Sequence, residues 1–153
     1  MEEVLLLSVS AQFALTVGSE ILREDKLPSP LPSLGTPEGI DGALILQIGD
    51  HPFIDERYWD RVDALLAGTL AAVRSARAGV PGEAEFPDTR VVLSISSVDG
   101  DTLRLTLENV SVDAPTAALE SALVACGQRL LTRAGSLAGT PALRKLADLV
   151  AGD

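Results

Sequence analysis

Cysteine and histidine occur once each in the 153 residues, as Cys126 and His51, and aromatic residues make up only 3%. A single cysteine excludes an internal disulfide. One His and one Cys exclude a His/Cys zinc site within one chain. With rings so scarce, the core is expected to be aliphatic, built from Leu, Val, Ile and Ala. Basic residues are also few: 12 Lys and Arg stand against 22 Asp and Glu, a formal net charge of −10. Nucleic acid and anionic membrane surfaces call for a basic footprint, so neither is an expected partner. The apolar run Val4–Leu7 is far below the roughly 20 residues a membrane helix needs. The start, Met1-Glu2-Glu3, is acidic where a secretory leader is basic, so a cytoplasmic location is expected. The phosphate-cradling, dinucleotide-binding and nucleophile-elbow glycine motifs are missing, and no cofactor is expected.

What is present suits one domain over 1–153, a length that buries a sizeable core without staples. The acidity is uneven. Residues 1–113 hold 19 acidic and 8 basic side chains, and residues 114–153 hold 3 and 4. Such a surface keeps a protein soluble and would also greet a basic partner.

Alternation from Leu5 to Val17 predicts a long, half-buried strand ending at Gly18. A proline-rich loop is expected over 26–41, where Pro28, Pro30, Pro32 and Pro37 recur. Ala43–Ile48, almost wholly apolar, reads as a strand covered on both faces. A helix is predicted from Ile54 to about Ala76, with Asp55 as N-cap and Trp59, Val62, Leu66, Leu70 and Val73 as its apolar stripe. Asp60 and Asp63, alternating with Arg57 and Arg61, read as a solvated helix face. A second stripe, Ala64, Gly68 and Ala72, asks for a close neighbour. That neighbour is expected to be either the 114–134 helix or a second copy, the latter making a homodimer.

A hairpin is predicted over 90–108. A three-residue Val98-Asp99-Gly100 loop, with Gly100 left-handed, would pair Ile95 with Leu103, Leu93 with Leu105 and Val91 with Leu107. Its other face, with Ser94, Ser96, Arg104 and Thr106, is polar. Asp113 is expected to cap a helix whose stripe is Leu119, Leu123, Cys126 and Leu130, ending at Gly135. Thr140-Pro141 opens a short last helix. The fold class is therefore α+β: a four-stranded antiparallel or mixed sheet with two long helices and a short C-terminal helix on one face.

One segment concentrates unusual residues. Asp50 to Trp59 holds the only His, the only Tyr and the only Trp, together with Phe53. Trp59 and Phe53 are expected inward, Arg57 in solvent, and the Tyr58 ring leaning on the body. Tyr, Trp and Arg together are the composition of interface hot spots. His51, Arg57 and Tyr58 are thus the candidate partner-binding residues. The leading expectation is a non-catalytic protein-interaction module: an adaptor, a chaperone-like protein, or an inhibitor or immunity-like partner. The alternative is a small enzyme or ligand-binding protein using the segment around His51, histidine being the residue type that most often serves as a general acid or base. That alternative predicts a deep pocket lined by His51, Arg57 or Tyr58. Cys126, on an apolar stripe, reads as a buried thiol and not a nucleophile.

Overall fold

A computed structural model describes residues 8–29, 39–134 and 140–152. Most of the proline-rich loop, the strand's start at Leu5 and Leu7, and the Gly135 cap lie outside the described residues.

The first sheet contains β1 (Val9–Val17), β2 (Glu20–Arg23), β3 (Asp41–Ile48) and β4 (His51–Ile54), ordered β2-β1-β3-β4. A two-residue strand, β5 (Asp60–Arg61), also pairs with β3. Helix α1 (Val62–Arg77) leads to a second sheet, β6 (Gly82–Glu85), β7 (Val92–Ser97), β8 (Thr102–Leu107) and β9 (Val110–Pro115), a simple meander. Helices α2 (Thr116–Ala134) and α3 (Pro141–Ala151) follow. All strand pairs are antiparallel. The chain is an α+β protein with two long helices and a shorter C-terminal one, and its strands divide between two sheets. The division follows from α1, which packs on β6 and β7 of one sheet and on β3 of the other. Helix α2 lies on β1, and all three helices touch one another.

The alternation in β1 puts Ala11, Phe13 and Leu15 into the main core. Ala14, an exception to the alternation, belongs to a smaller cluster on the opposite face with Ala43 and Ile45. The first sheet is thus apolar on both faces at β3, as its run of residues predicts. Gly42 leaves no room for a side chain beside β1: a Cβ there would stand 2.0 Å from the Ala14 carbonyl oxygen.

Leu93, Ile95, Leu103 and Leu105 are buried on one face of the second sheet. The register is Leu93 to Leu107, Ile95 to Leu105 and Ser97 to Leu103, two residues from the expected pairing. A shift of two keeps every side chain on its face, which is why pattern alone could not exclude it. The connection is four residues long. Ser97 Oγ donates to the Asp99 carbonyl at 2.8 Å, Asp99 Oδ1 accepts from Asp101 N–H at 2.8 Å, and Val98 N–H reaches the Thr102 carbonyl at 2.9 Å. Gly100 does not adopt the left-handed conformation.

The predicted helix over 54–76 begins later, at Val62. Asp55 does act as a cap, but of a single 3-10 turn, Glu56–Tyr58, accepting from Arg57 N–H at 2.9 Å. Trp59 is extended, and Asp60 and Arg61 pair with Gly42 and Asp41 of β3. Asp60 and Asp63 are buried instead of solvated. The Asp60 carboxylate accepts from the N–H groups of Arg61, Asp88 and Thr89 at 2.8–3.1 Å. Asp63 accepts from Ile40 N–H at 3.1 Å, Ala64 N–H at 3.0 Å and the Thr140 hydroxyl at 2.6 Å. Burial of a carboxylate is tolerated when donors replace its water. The helix stripe is therefore Val62, Leu65, Leu66, Leu70 and Val73, without Trp59.

Asp113 sits in β9, paired across the strands with Arg104, so it does not cap α2; Pro115 precedes the helix. The α2 stripe of Leu119, Leu123, Cys126 and Leu130 is fully buried as expected. Thr140 caps α3, accepting from Leu143 N–H at 3.1 Å, with Pro141 in the first turn. In the small stripe of α1, Gly68 and Ala72 meet β6 and not the 114–134 helix. A Cβ on Gly68 would touch Ala84 Cβ at 3.5 Å, and one on Gly82 would lie 2.7 Å from Ala72 Cα.

Candidate functional site

The turn from Asp55 to Trp59 is exposed and tightly held. At one end, Arg23 of β2 donates through Nε and Nη2 to both Glu56 oxygens at 2.5 and 3.0 Å. This bond holds the Glu56 carboxyl below its ordinary range, against the opposing effect of partial burial. At the other end, the Tyr58 hydroxyl donates to Glu108 Oε1 at 2.8 Å. That hydrogen bond is the main reason the phenol titrates above its ordinary value. The Tyr58 ring meets Phe86 edge to face, with centroids 6.0 Å apart at 74°.

Glu108 opens the tight turn between β8 and β9 with φ +55°, a left-handed conformation that costs a non-glycine residue about 1 kcal/mol or more. Its carboxylate reaches Tyr58 from there.

Arg57 is directed outward, with 73% of its side chain exposed; its Nε donates to Asp55 Oδ1 at 2.9 Å. Its guanidinium stands 5.9 Å from the Tyr58 ring centroid, within cation–π range. Phe53 is buried, as expected. Trp59 is not. The only tryptophan is 52% exposed, because the extended backbone at this position turns it away from the α1 stripe. Val110, just after the Glu108 turn, is also exposed.

Of the three predicted residues, the fold brings Arg57 and Tyr58 together. His51 is exposed at the start of β4, its ring 6.0 Å from Phe53, with roughly 13 Å of extended strand between it and Asp55. Trp59 and Glu108 are the residues that sequence reasoning misplaced or missed. Asp60 and Asp63, polar residues at the supposed helix start, were the available signal for Trp59. Glu108 is 50 positions from Tyr58 and carries no local signal.

Among the described residues, concavities lie along the helices and on the β8–β9 face, and their linings do not include His51, Arg57 or Tyr58. One of about 360 Å³ lies between α1 and α2, where Arg74 and Arg77 both pair with Glu120 at 3.0 and 2.5 Å. Arg74 also donates to the Leu149 carbonyl. These cations are thus occupied within the chain. Cys126 is enclosed by apolar neighbours, and burial, with a smaller effect from the Glu24 charge, pushes its thiol up to about 12. A thiol so high is a poor nucleophile at neutral pH. Among the described residues, no three His, Cys, Asp or Glu side chains are placed to share a metal ion, and no helix is long and apolar enough to cross a membrane. Comparison with protein-family models, curated proteins and solved structures finds no match for this chain.

Proposed function

We propose that this chain is a non-catalytic protein-interaction module, of the adaptor, chaperone-like or inhibitor and immunity-like kind. The observation that carries the reading is the half-exposed Trp59 beside the outward Arg57 and the anchored Tyr58. Trp, Tyr and Arg supply most hot-spot energy in protein interfaces. The turn that bears them is ordered in advance by the Arg23–Glu56 and Tyr58–Glu108 bonds, so little conformational freedom is lost on docking. His51 is exposed at the start of β4, and in this reading it contacts the partner beside the turn and not within it. The net charge of −10 favours a partner with a basic surface and speeds its approach.

The test is comparative. The chain and its Arg57→Ala and Trp59→Ala variants are immobilised, partners from the native cell are identified by mass spectrometry, and the purified partner is titrated against each. Each substitution is expected to weaken binding roughly tenfold or more while leaving the melting temperature nearly unchanged. Equal affinity for all three proteins would refute the reading.

A further inference from the structure

The four sheet edges are not equally protected. At the β4 edge, Pro52 and a bulge against β3 interrupt pairing. The β6 edge carries Glu83 and Glu85, and β2 is only four residues long. Strand β9 is six residues long, and among the described residues no strand lies beyond it. Its sequence, Val110-Ser111-Val112-Asp113-Ala114-Pro115, has no Lys and its one Pro is at the end. Long edges without such guards pair with another chain.

The direction of its backbone groups follows from the turn. Glu108 and Asn109 form a two-residue hairpin loop, so Leu107 and Val110 are a hydrogen-bonded pair and the ladder continues through Val112 and Ala114. Thr116 N–H donates to the Asp101 carbonyl at 2.9 Å, the next rung of the same ladder. The N–H and C=O groups of Ser111 and Asp113 consequently point away from β8. Charge at this edge is locally balanced. Asp113 is held by Arg104 in a two-bond pair at 2.8 and 3.1 Å, which lowers its carboxyl below the ordinary range. Arg104 thus offsets the Asp113 charge in part and leaves no net negative edge to favour a basic strand, whereas β9 is complementary to itself.

We propose that β9 pairs with β9 of a second copy across a two-fold axis, joining two four-stranded sheets into one of eight strands. With the axis at Val112, Ser111 of each copy faces Asp113 of the other. All four outward backbone groups on each strand are then matched, and no like charges stand opposite. The two Val112 side chains, half-buried in each protomer, meet at the centre. The backbone groups that pair belong to Ser111 and Asp113, and neither Arg57 nor Trp59 is among them, so Arg57→Ala and Trp59→Ala are expected to leave the dimer unchanged.

Sedimentation of the full chain over a micromolar concentration series tests this, with circular dichroism confirming the fold of each variant. The wild type is expected to sediment as a dimer at about 100 μM, a concentration where micromolar association is complete. Ser111→Pro removes an outward donor and is expected to abolish the dimer. Ser111→Asp puts like charges opposite Asp113 and is expected to weaken dimerisation roughly tenfold, because the clash occurs twice. Ser111→Lys puts opposite charges there and is expected to dimerise at least as well as the wild type. If Ser111→Pro does not fold, the Asp and Lys pair decides. A monomeric wild type, a dimer indifferent to Ser111→Asp, or equal weakening by Asp and Lys each overturns the proposal.

Discussion

The Thr140 hydroxyl donates to Asp63 Oδ2 at 2.6 Å and accepts from Leu143 N–H at 3.1 Å. One side chain thus caps α3 and ties its start to the start of α1, 77 residues earlier. The same Asp63 carboxylate takes the N–H of Ile40, which leads into β3.

Asp63→Ala leaves three donors without an acceptor at a buried junction, and each unmet donor costs about 1–3 kcal/mol. The variant is expected to lose about 3 kcal/mol or more in urea unfolding. Thr140→Val, which removes the cap and one donor to Asp63, is expected to lose about 1–2 kcal/mol. Unchanged midpoints for both would show that the junction is not structural.

Trp59→Ala is expected to change stability by no more than about 0.5 kcal/mol, as for other surface positions. The exposed indole is expected to emit like a solvated one and to be quenched freely by acrylamide in the folded protein. Protection from the quencher, or a loss above about 2 kcal/mol, would place the ring in the core.

The Cys126 thiol stays protonated in the folded state up to about 12, whereas an unfolded chain releases that proton near 8.5. The folded value is raised, so the stabilisation is complete below the unfolded value and is lost as pH climbs toward the folded one. Between about pH 9 and 12 stability is expected to fall by about 1.4 kcal/mol per pH unit on this account. Cys126→Ala is expected to flatten that slope, measured by denaturant unfolding at pH 8 to 10. Native protein at neutral pH is expected to react slowly with thiol reagents, and rapid labelling would contradict the burial.

Gly42→Ala is expected to destabilise the chain by about 3 kcal/mol or to prevent folding, since the methyl group meets the Ala14 carbonyl at 2.0 Å and both strands are packed on each side. Gly18→Ala has no such neighbour and only its φ of +65° to oppose it, so a smaller loss of about 1 kcal/mol is expected. Thermal melts of the two variants separate close packing from backbone strain.

The chain's own pattern determined the aliphatic core, the α+β class, the shared face of Leu93, Ile95, Leu103 and Leu105, the α2 stripe with Cys126 on it, and the Thr140-Pro141 helix start. Each is set by periodicity or by a cap within a few residues, so local physics suffices. Tertiary structure decided the rest. Asp60 and Asp63 read as solvated because their donors, on Thr89, Ile40 and Thr140, are remote in sequence. Once those donors hold the chain extended through Arg61, α1 cannot begin before Val62, and Trp59 is left in solvent. The candidate site was legible as a cluster of residue types. Its geometry was not, because the Tyr58–Glu108 bond and the left-handed Glu108 exist only when the second sheet is in place. A pattern of period two specifies which face a side chain takes; only packing between distant segments selects the register and the surface that remains exposed.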